Sequence, residues 1–262
     1  MPGTVAVHGL LFKYNKLDPT YELDSPSPTE SGELAMLKEI NSFILGVGKP
    51  VNIKIKRKIF KDIVGMNKVK GTPKADLVLV SFDAKKNKFK EVCFLSHKKG
   101  KTVKDFGQWS GMSDNAGKTI SKNELVEDFI QNVKNSVKQT FENKKIKNTL
   151  TVAKIIPAEN DLIKYSMYGP DYGNAYGINN VNFILQGNPT LTLTGKNYVL
   201  NMSGHIMENG EGTTDEIALM AYRKGAAADR QQFGVKARFV IQAKTSRPIH
   251  FMFNNKGILV EQ

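Results

Sequence analysis

Two short segments hold residue types that could share one divalent cation. The first, Gly71-Thr72-Pro73-Lys74-Ala75-Asp76, leads into an apolar run and sets a carboxylate at the mouth of a strand. Twenty residues after Asp76, a second apolar run ends in Ser96-His97-Lys98-Lys99-Gly100. Side chains two apart on a strand face the same way, so Ser96 and Lys98 point together and a paired strand can bring Asp76 beside them. Phosphodiester cleavage asks for such a set. A cation neutralises developing charge and activates water. Magnesium accepts one carboxylate with one or two weaker oxygens while keeping several waters. A neighbouring lysine can orient the attacking water and screen the phosphate.

The elements that must position these groups are readable in outline. Residues 1–30 read as an extended arm, with Ser25-Pro26-Ser27-Pro28 opposing helix. A helix is expected over 32–45, its apolar stripe being Leu37, Ile40 and Ile44, and Glu33 falls on the same face. Alternation over 51–59 predicts one strand. Strands are expected at 75–82 and 89–96, joined by the polar 83–88 connection as a hairpin. Ser121 with Glu124 forms a capping-box pattern opening a second helix to about Glu142. Its stripe is Leu125, Phe129, Val133, Val137 and Phe141. After Lys147 the chain becomes strand-rich, with strands expected at 150–156, 181–186, 191–194, 198–206, 217–222 and 233–243. These elements divide the chain into 1–147, a core with its N-terminal arm, and 148–262, a β-rich region suited to substrate recognition.

Charge narrows the partners. The 262 residues carry a formal charge of +13, from 38 basic and 25 acidic side chains. Between Lys49 and Lys104 there are 17 basic residues and four acids, whereas the rest of the chain carries 21 of each. A surplus confined to one segment favours a polyanion, and nucleic acid phosphates are the expected partner. No apolar stretch nears the ~20 residues of a membrane span, so no membrane association is expected. The first 14 residues lack the pattern of a secretory signal, and the single cysteine, Cys93, cannot form an internal disulfide. A cytoplasmic or otherwise intracellular setting is the expectation, a phage-infected cell or a virion included.

The pattern Pro73…Asp76, a hairpin, then Ser96-x-Lys98 resembles the metal-dependent PD-(D/E)XK nuclease superfamily, in particular small type II restriction endonucleases whose motif opens Gly-Ser/Thr-Pro-Lys-x-Asp. The likeness covers about 30 residues and extends to the Glu33 helix before it and the Ser121 helix after it. It implies an α/β (α+β) fold: a restriction-endonuclease-like mixed-sheet core flanked by helices, followed by the β-rich C-terminal region. It further implies DNA phosphodiester hydrolysis with Mg2+ or Mn2+. Asp76 and Ser96 would be the metal ligands, Lys98 the water-orienting group, and Glu33 an acid from the first helix. Ser96 stands where the family usually carries a second carboxylate. Lys74, Lys99, Lys101 and Gln108 are candidates for DNA contact, as are Arg223, Arg230, Lys236 and Arg238 near strand ends of the second half. Many enzymes of this type act as homodimers, which makes a homodimer an expectation here. Two rival readings are a nuclease-fold protein that binds DNA without cutting it, and a structural protein of virion assembly built on the β-rich half.

Other signals point less sharply. The segment 111–119 is close to a phosphate-binding loop but has five residues between its glycines where four are required, and no apolar strand before it. Trp109 reads as a packing residue. Tyr165, Tyr168, Tyr172 and Tyr176 read as members of one loop, packed against the core or stacked on bases. The four histidines lack zinc spacing, and His97 is expected on the strand face opposite Ser96 and Lys98.

Overall fold

The computed structural model describes residues 28–71, 73–100, 108–112, 118–141, 151–157, 160–213, 216–223, 237–244 and 247–262. Along the chain come α1 (Pro28–Val47), β1 (Val51–Ile55), β2 (Lys58–Lys68), β3 (Leu77–Asp83) and β4 (Lys88–Lys98). Then follow β5 (Gln108–Gly111), α2 (Lys118–Ser121), α3 (Glu124–Phe141), β6 (Thr151–Ile156), α4 (Asp161–Tyr168) and β7 (Phe183–Gln186). The rest is strand: β8 (Pro189–Thr194), β9 (Asn197–Met202), β10 (Ile206–Glu208), β11 (Ile217–Arg223), β12 (Ala237–Ala243), β13 (Phe251–Phe253) and β14 (Leu259–Glu261). The class is mixed α+β, with strand predominating over helix among the described residues.

These elements form two compact units, each drawn from two stretches of chain. The first combines the described residues up to Gly100 with Asp171–Glu211. It holds α1 and an eight-stranded sheet in the order β10-β7-β4-β3-β2-β1-β9-β8. From β1 to β4 the strands run as an antiparallel meander. β7 then adds parallel to β4, from Leu95 opposite Phe183 to Lys98 opposite Gln186. On the other side β9 joins β1 in parallel. β3 lies centrally, and Leu77, Val78, Leu79 and Val80 are all buried. A strand covered on both faces reads as a continuous apolar run rather than an alternating one.

α1 keeps the expected stripe, with Leu37, Ile40 and Ile44 buried together with Glu33. It packs on β2, and Asn41 fixes the contact. The Asn41 side chain donates to the Met66 carbonyl at 3.0 Å and accepts from the Met66 N–H at 2.7 Å. The helix ends where Gly48, at φ 71°, donates back to Ile44 and Leu45. Around this contact Ile40, Ile44, Ile53, Ile63, Met66, Leu79, Leu95 and Phe183 form one buried apolar cluster.

Several local expectations are corrected. The alternating 51–59 segment is a hairpin: Lys56 adopts φ 51°, and the chain turns into β2 without glycine. Asn123, not Ser121, caps the long helix α3, its side chain accepting from the Leu125 N–H at 3.1 Å. Tyr165 and Tyr168 lie in α4, capped by Asn160, and Tyr168 is wholly buried. The 198–206 strand is two strands, β9 and β10, broken between Met202 and Ile206.

The second unit holds the described residues from Gln108 to Pro170 and from Gly212 onward. Its six-stranded sheet has the order β14-β13-β6-β11-β12-β5, with β13 parallel to β6. Phe129 of α3 meets Phe239 and Phe253 edge-on, at centroid distances of 6.3 and 6.1 Å. Trp109 is buried there, as a packing residue would be. Among the described residues no helix is long and apolar enough to cross a membrane.

Candidate metal-dependent site

The site lies wholly in the first unit, where Asp76 enters β3 between the end of β2 and the end of β4. Its backbone is fixed on both sides: Val69 N–H donates to the Asp76 carbonyl at 3.0 Å, and Asp76 N–H donates to the Leu95 carbonyl at 2.9 Å. One residue earlier, Ala75 N–H donates to the Ile178 carbonyl at 2.8 Å. With the main chain so held, the carboxylate reaches the last turn of the β4 ladder. Its Oδ2 accepts the Ser96 hydroxyl at 3.0 Å and the His97 backbone N–H at 2.7 Å. Both bonds fall on one oxygen, so Oδ1 lies outside them.

Glu33 arrives from the first turns of α1, carried to β2 by the Asn41 contact eight residues further on. Its carboxylate pairs with the Lys68 ammonium at 3.3 Å. Burial pushes the Glu33 carboxyl above its ordinary value, and the negative charge of Asp76 pushes the same way; Lys68 and Lys98 oppose both. Two carboxylates and two lysines therefore share one electrostatic neighbourhood. Lys74 belongs to it as well. Enclosure of its ammonium, aided by the charge of Lys98, lowers its pKa well below that of an ordinary lysine, while Asp76 pulls it back up.

The end of β4 is clamped by the end of β7. The His97 ring nitrogen Nε2 bonds to the Gly187 carbonyl at 2.9 Å, Gly187 N–H donates to the Lys98 carbonyl at 3.0 Å, and the Gln186 amide donates to the Lys99 carbonyl at 3.0 Å. Gly187 has φ 85°, and a Cβ there would lie 2.3 Å from Ser203 Oγ, so only glycine fits. Burial lowers the His97 pKa, against the pull of Gly187 and Asp76. Gly32 of α1 faces the same corner; a Cβ there would come within 3.2 Å of the His97 ring and 3.3 Å of the Lys99 side chain.

Of the residues singled out in the sequence, the fold thus gathers Asp76, Ser96, Lys98, Glu33 and Lys74, with Lys99 exposed at the margin. Gln108, Arg223 and Arg238 lie on β5, β11 and β12 of the second unit. Lys101, Arg230 and Lys236 lie outside the described residues. Three participants carry no sequence signal of their own: Lys68, one lysine among many in a basic segment; the His97 backbone N–H, which any residue but proline would supply; and Gly187, nearly ninety residues away.

Among the described residues no group of three or more His, Cys, Asp and Glu side chains is gathered to hold a metal ion. The oxygen donors present are the carboxylates of Asp76 and Glu33 with the Ser96 hydroxyl. That set suits a hard cation that keeps much of its water, such as Mg2+ or Mn2+. Comparison of the chain with protein-family models, with curated proteins and with solved structures finds no match in any of the three.

Proposed function

We propose that this chain is a metal-dependent endonuclease that hydrolyses DNA phosphodiester bonds. The observation that carries the reading is the bonded meeting of Asp76 with Ser96 and His97, with Glu33 and Lys98 within electrostatic reach. The order of elements within the first unit supports it: a helix, an antiparallel β2–β3–β4 meander with Asp76 at its entry and Ser96-x-Lys98 at its end, then β7 added parallel to β4. The helix expected to follow that sheet, α3, belongs to the second unit instead.

In this reading Asp76 Oδ1 and Glu33 hold the cation, and Ser96 acts by fixing Asp76 through Oδ2. A bound Mg2+ or Mn2+ would supply Lewis acidity and an activated water. Lys98 faces the scissile phosphate and orients the water. Lys74, whose enclosed ammonium has a lowered pKa, assists beside Lys98 rather than gripping the outer backbone. Lys99, exposed next to the site, contacts the phosphate backbone. Glu33 takes the part of the second carboxylate whose usual position Ser96 occupies.

The replacement of that carboxylate by Ser96 favours one second reading, a nuclease-fold protein that binds DNA without cutting. Incubation of the purified chain with supercoiled, linear, single-stranded and branched DNA in Mg2+, Mn2+ or chelator separates the two. Metal-dependent nicking that disappears in Asp76→Asn and Lys98→Ala is the expected result. Intact binding with no cleavage of any substrate supports the second reading, and cleavage retained by both variants removes the site assignment.

A further inference from the structure

The strand β8 ends the eight-stranded sheet, and among the described residues only β9 pairs with it. Exposed strand edges are usually blunted by charge, by proline, by a bulge or by shortness. The opposite edge, β10, follows that rule: it has three residues and ends in Glu208, which pairs with Lys58 at 3.0 Å. β8 does not. After Pro189 it reads Thr190-Leu191-Thr192-Leu193-Thr194, with no charged side chain, and Leu193 is 60% exposed.

We propose that β8 is the surface through which two copies of this chain associate, the two strands pairing edge to edge and antiparallel about Thr192. Three observations select a second copy as the occupant. The segment 190–194 reads the same in both directions. An antiparallel pair centred on Thr192 therefore sets Leu191 opposite Leu193 of the second copy and Thr190 opposite Thr194, like against like, as a two-fold interface requires.

The hydrogen-bonding phase also fits. Thr194 and Asn197 flank the two-residue turn Gly195-Lys196, with Gly195 at φ 61°. Residues flanking such a turn bond to each other, so Thr194, Thr192 and Thr190 direct their backbone groups at β9. Leu191 and Leu193 then turn theirs outward, and in the centred register these are the groups that meet.

The third observation is charge. A chain of net charge +13 repels its own copy. From Gln186 to Met207, however, the only charged side chain is Lys196. In the centred register the two Lys196 residues lie at opposite ends of the paired strands. This hairpin therefore sets little like charge against a second copy.

The proposal is independent of the nuclease reading and its test uses neither DNA nor cleavage. Thr192 would face its own copy across a non-hydrogen-bonded pair, with Cα atoms about 4.5 Å apart, a spacing a disulfide can span. Two copies of residue 194 would be separated by roughly 13 Å, too far to bridge. Cys93 is buried and leaves the background clean. Mild oxidation is expected to give a covalent dimer from Thr192→Cys and none from Thr194→Cys. By sedimentation the unaltered chain is expected as a dimer, and Leu193→Lys as a monomer with an unchanged circular dichroism spectrum. A monomeric unaltered chain, a dimer indifferent to Leu193→Lys, or cross-linking no better at 192 than at 194 would each overturn it.

Discussion

The Asp76 carboxylate is held by one hydroxyl and one main-chain N–H, both on Oδ2, so that under the proposed function Ser96 is a positioning residue. Groups that orient a metal ligand typically alter affinity or activity by about 10–100-fold when removed. Ser96→Ala is therefore expected to lower cleavage by about that factor and to raise the Mg2+ concentration needed for half-maximal rate. The cost in stability should be only about 1 kcal/mol, since the His97 N–H still serves Oδ2. A Ser96→Ala variant with unchanged metal dependence would remove that role. Glu33 makes a prediction of opposite sign. Its carboxyl pKa is raised, foremost by burial and then by Asp76. A raised acid leaves the fold least penalised below the unfolded-state value near 4.5, and stability is lost as pH climbs through the raised value. In metal-free urea denaturation, Glu33→Gln is expected to be more stable than the unaltered chain at neutral pH. That advantage should shrink on acidification toward the ordinary carboxylate range, while cleavage with Mg2+ is lost. Destabilisation at neutral pH would mean that the Lys68 pair outweighs burial.

Between residue and fold stands α1, which delivers Glu33 to the strands through the two Asn41–Met66 bonds. Asn41→Ala strips partners from a buried N–H and a buried carbonyl at once, at about 1–3 kcal/mol for each group left unsatisfied. The expected loss is about 2–4 kcal/mol in urea midpoint analysis, with cleavage falling as Glu33 and Lys68 lose register; a loss under about 0.5 kcal/mol, typical of a surface site, would refute the anchor. This helix was legible because burial follows the 3.6-residue period of Leu37, Ile40 and Ile44, the stripe on which Glu33 also falls. β3 and β4 were legible as apolar runs flanking a polar turn, where Asp83 accepts from the Lys85 and Lys86 N–H groups. The β1–β2 turn was not, because alternation carries straight through Lys56, and a left-handed lysine leaves no mark in sequence. Nor was α4, whose tyrosines look like loop residues until Asn160 is seen as a cap. The β4–β7 and β1–β9 pairings join segments roughly 90 to 150 residues apart, which no local pattern encodes.

At the scale of the molecule, the question is what the basic segment between Lys49 and Lys104 is for. Part of its charge is spent internally, since Lys56 pairs with Glu211, Lys58 with Glu208 and Lys68 with Glu33. Lys74 is enclosed beside Lys98. Much of the remainder is exposed, including Arg57, Lys61, Lys70, Lys85, Lys86 and Lys99. Solvated lysines alone would serve solubility, but they would show no steep linkage to salt in the presence of DNA. Phosphate contacts do, because each one releases condensed counterions, about 0.9 per contact on duplex DNA. If about six of these side chains engage the backbone, the slope of log affinity against log salt is roughly −5, and binding weakens about a thousandfold between 50 and 200 mM salt. Lys99→Ala, which removes one contact beside the site, should flatten that slope by about 1. Fluorescence anisotropy of labelled duplex DNA titrated across KCl concentrations, in Ca2+ or without metal to suppress cleavage, reads both quantities. A slope near zero, or none of the expected change in Lys99→Ala, would separate this charge from DNA binding and leave the basic segment as a solvated surface.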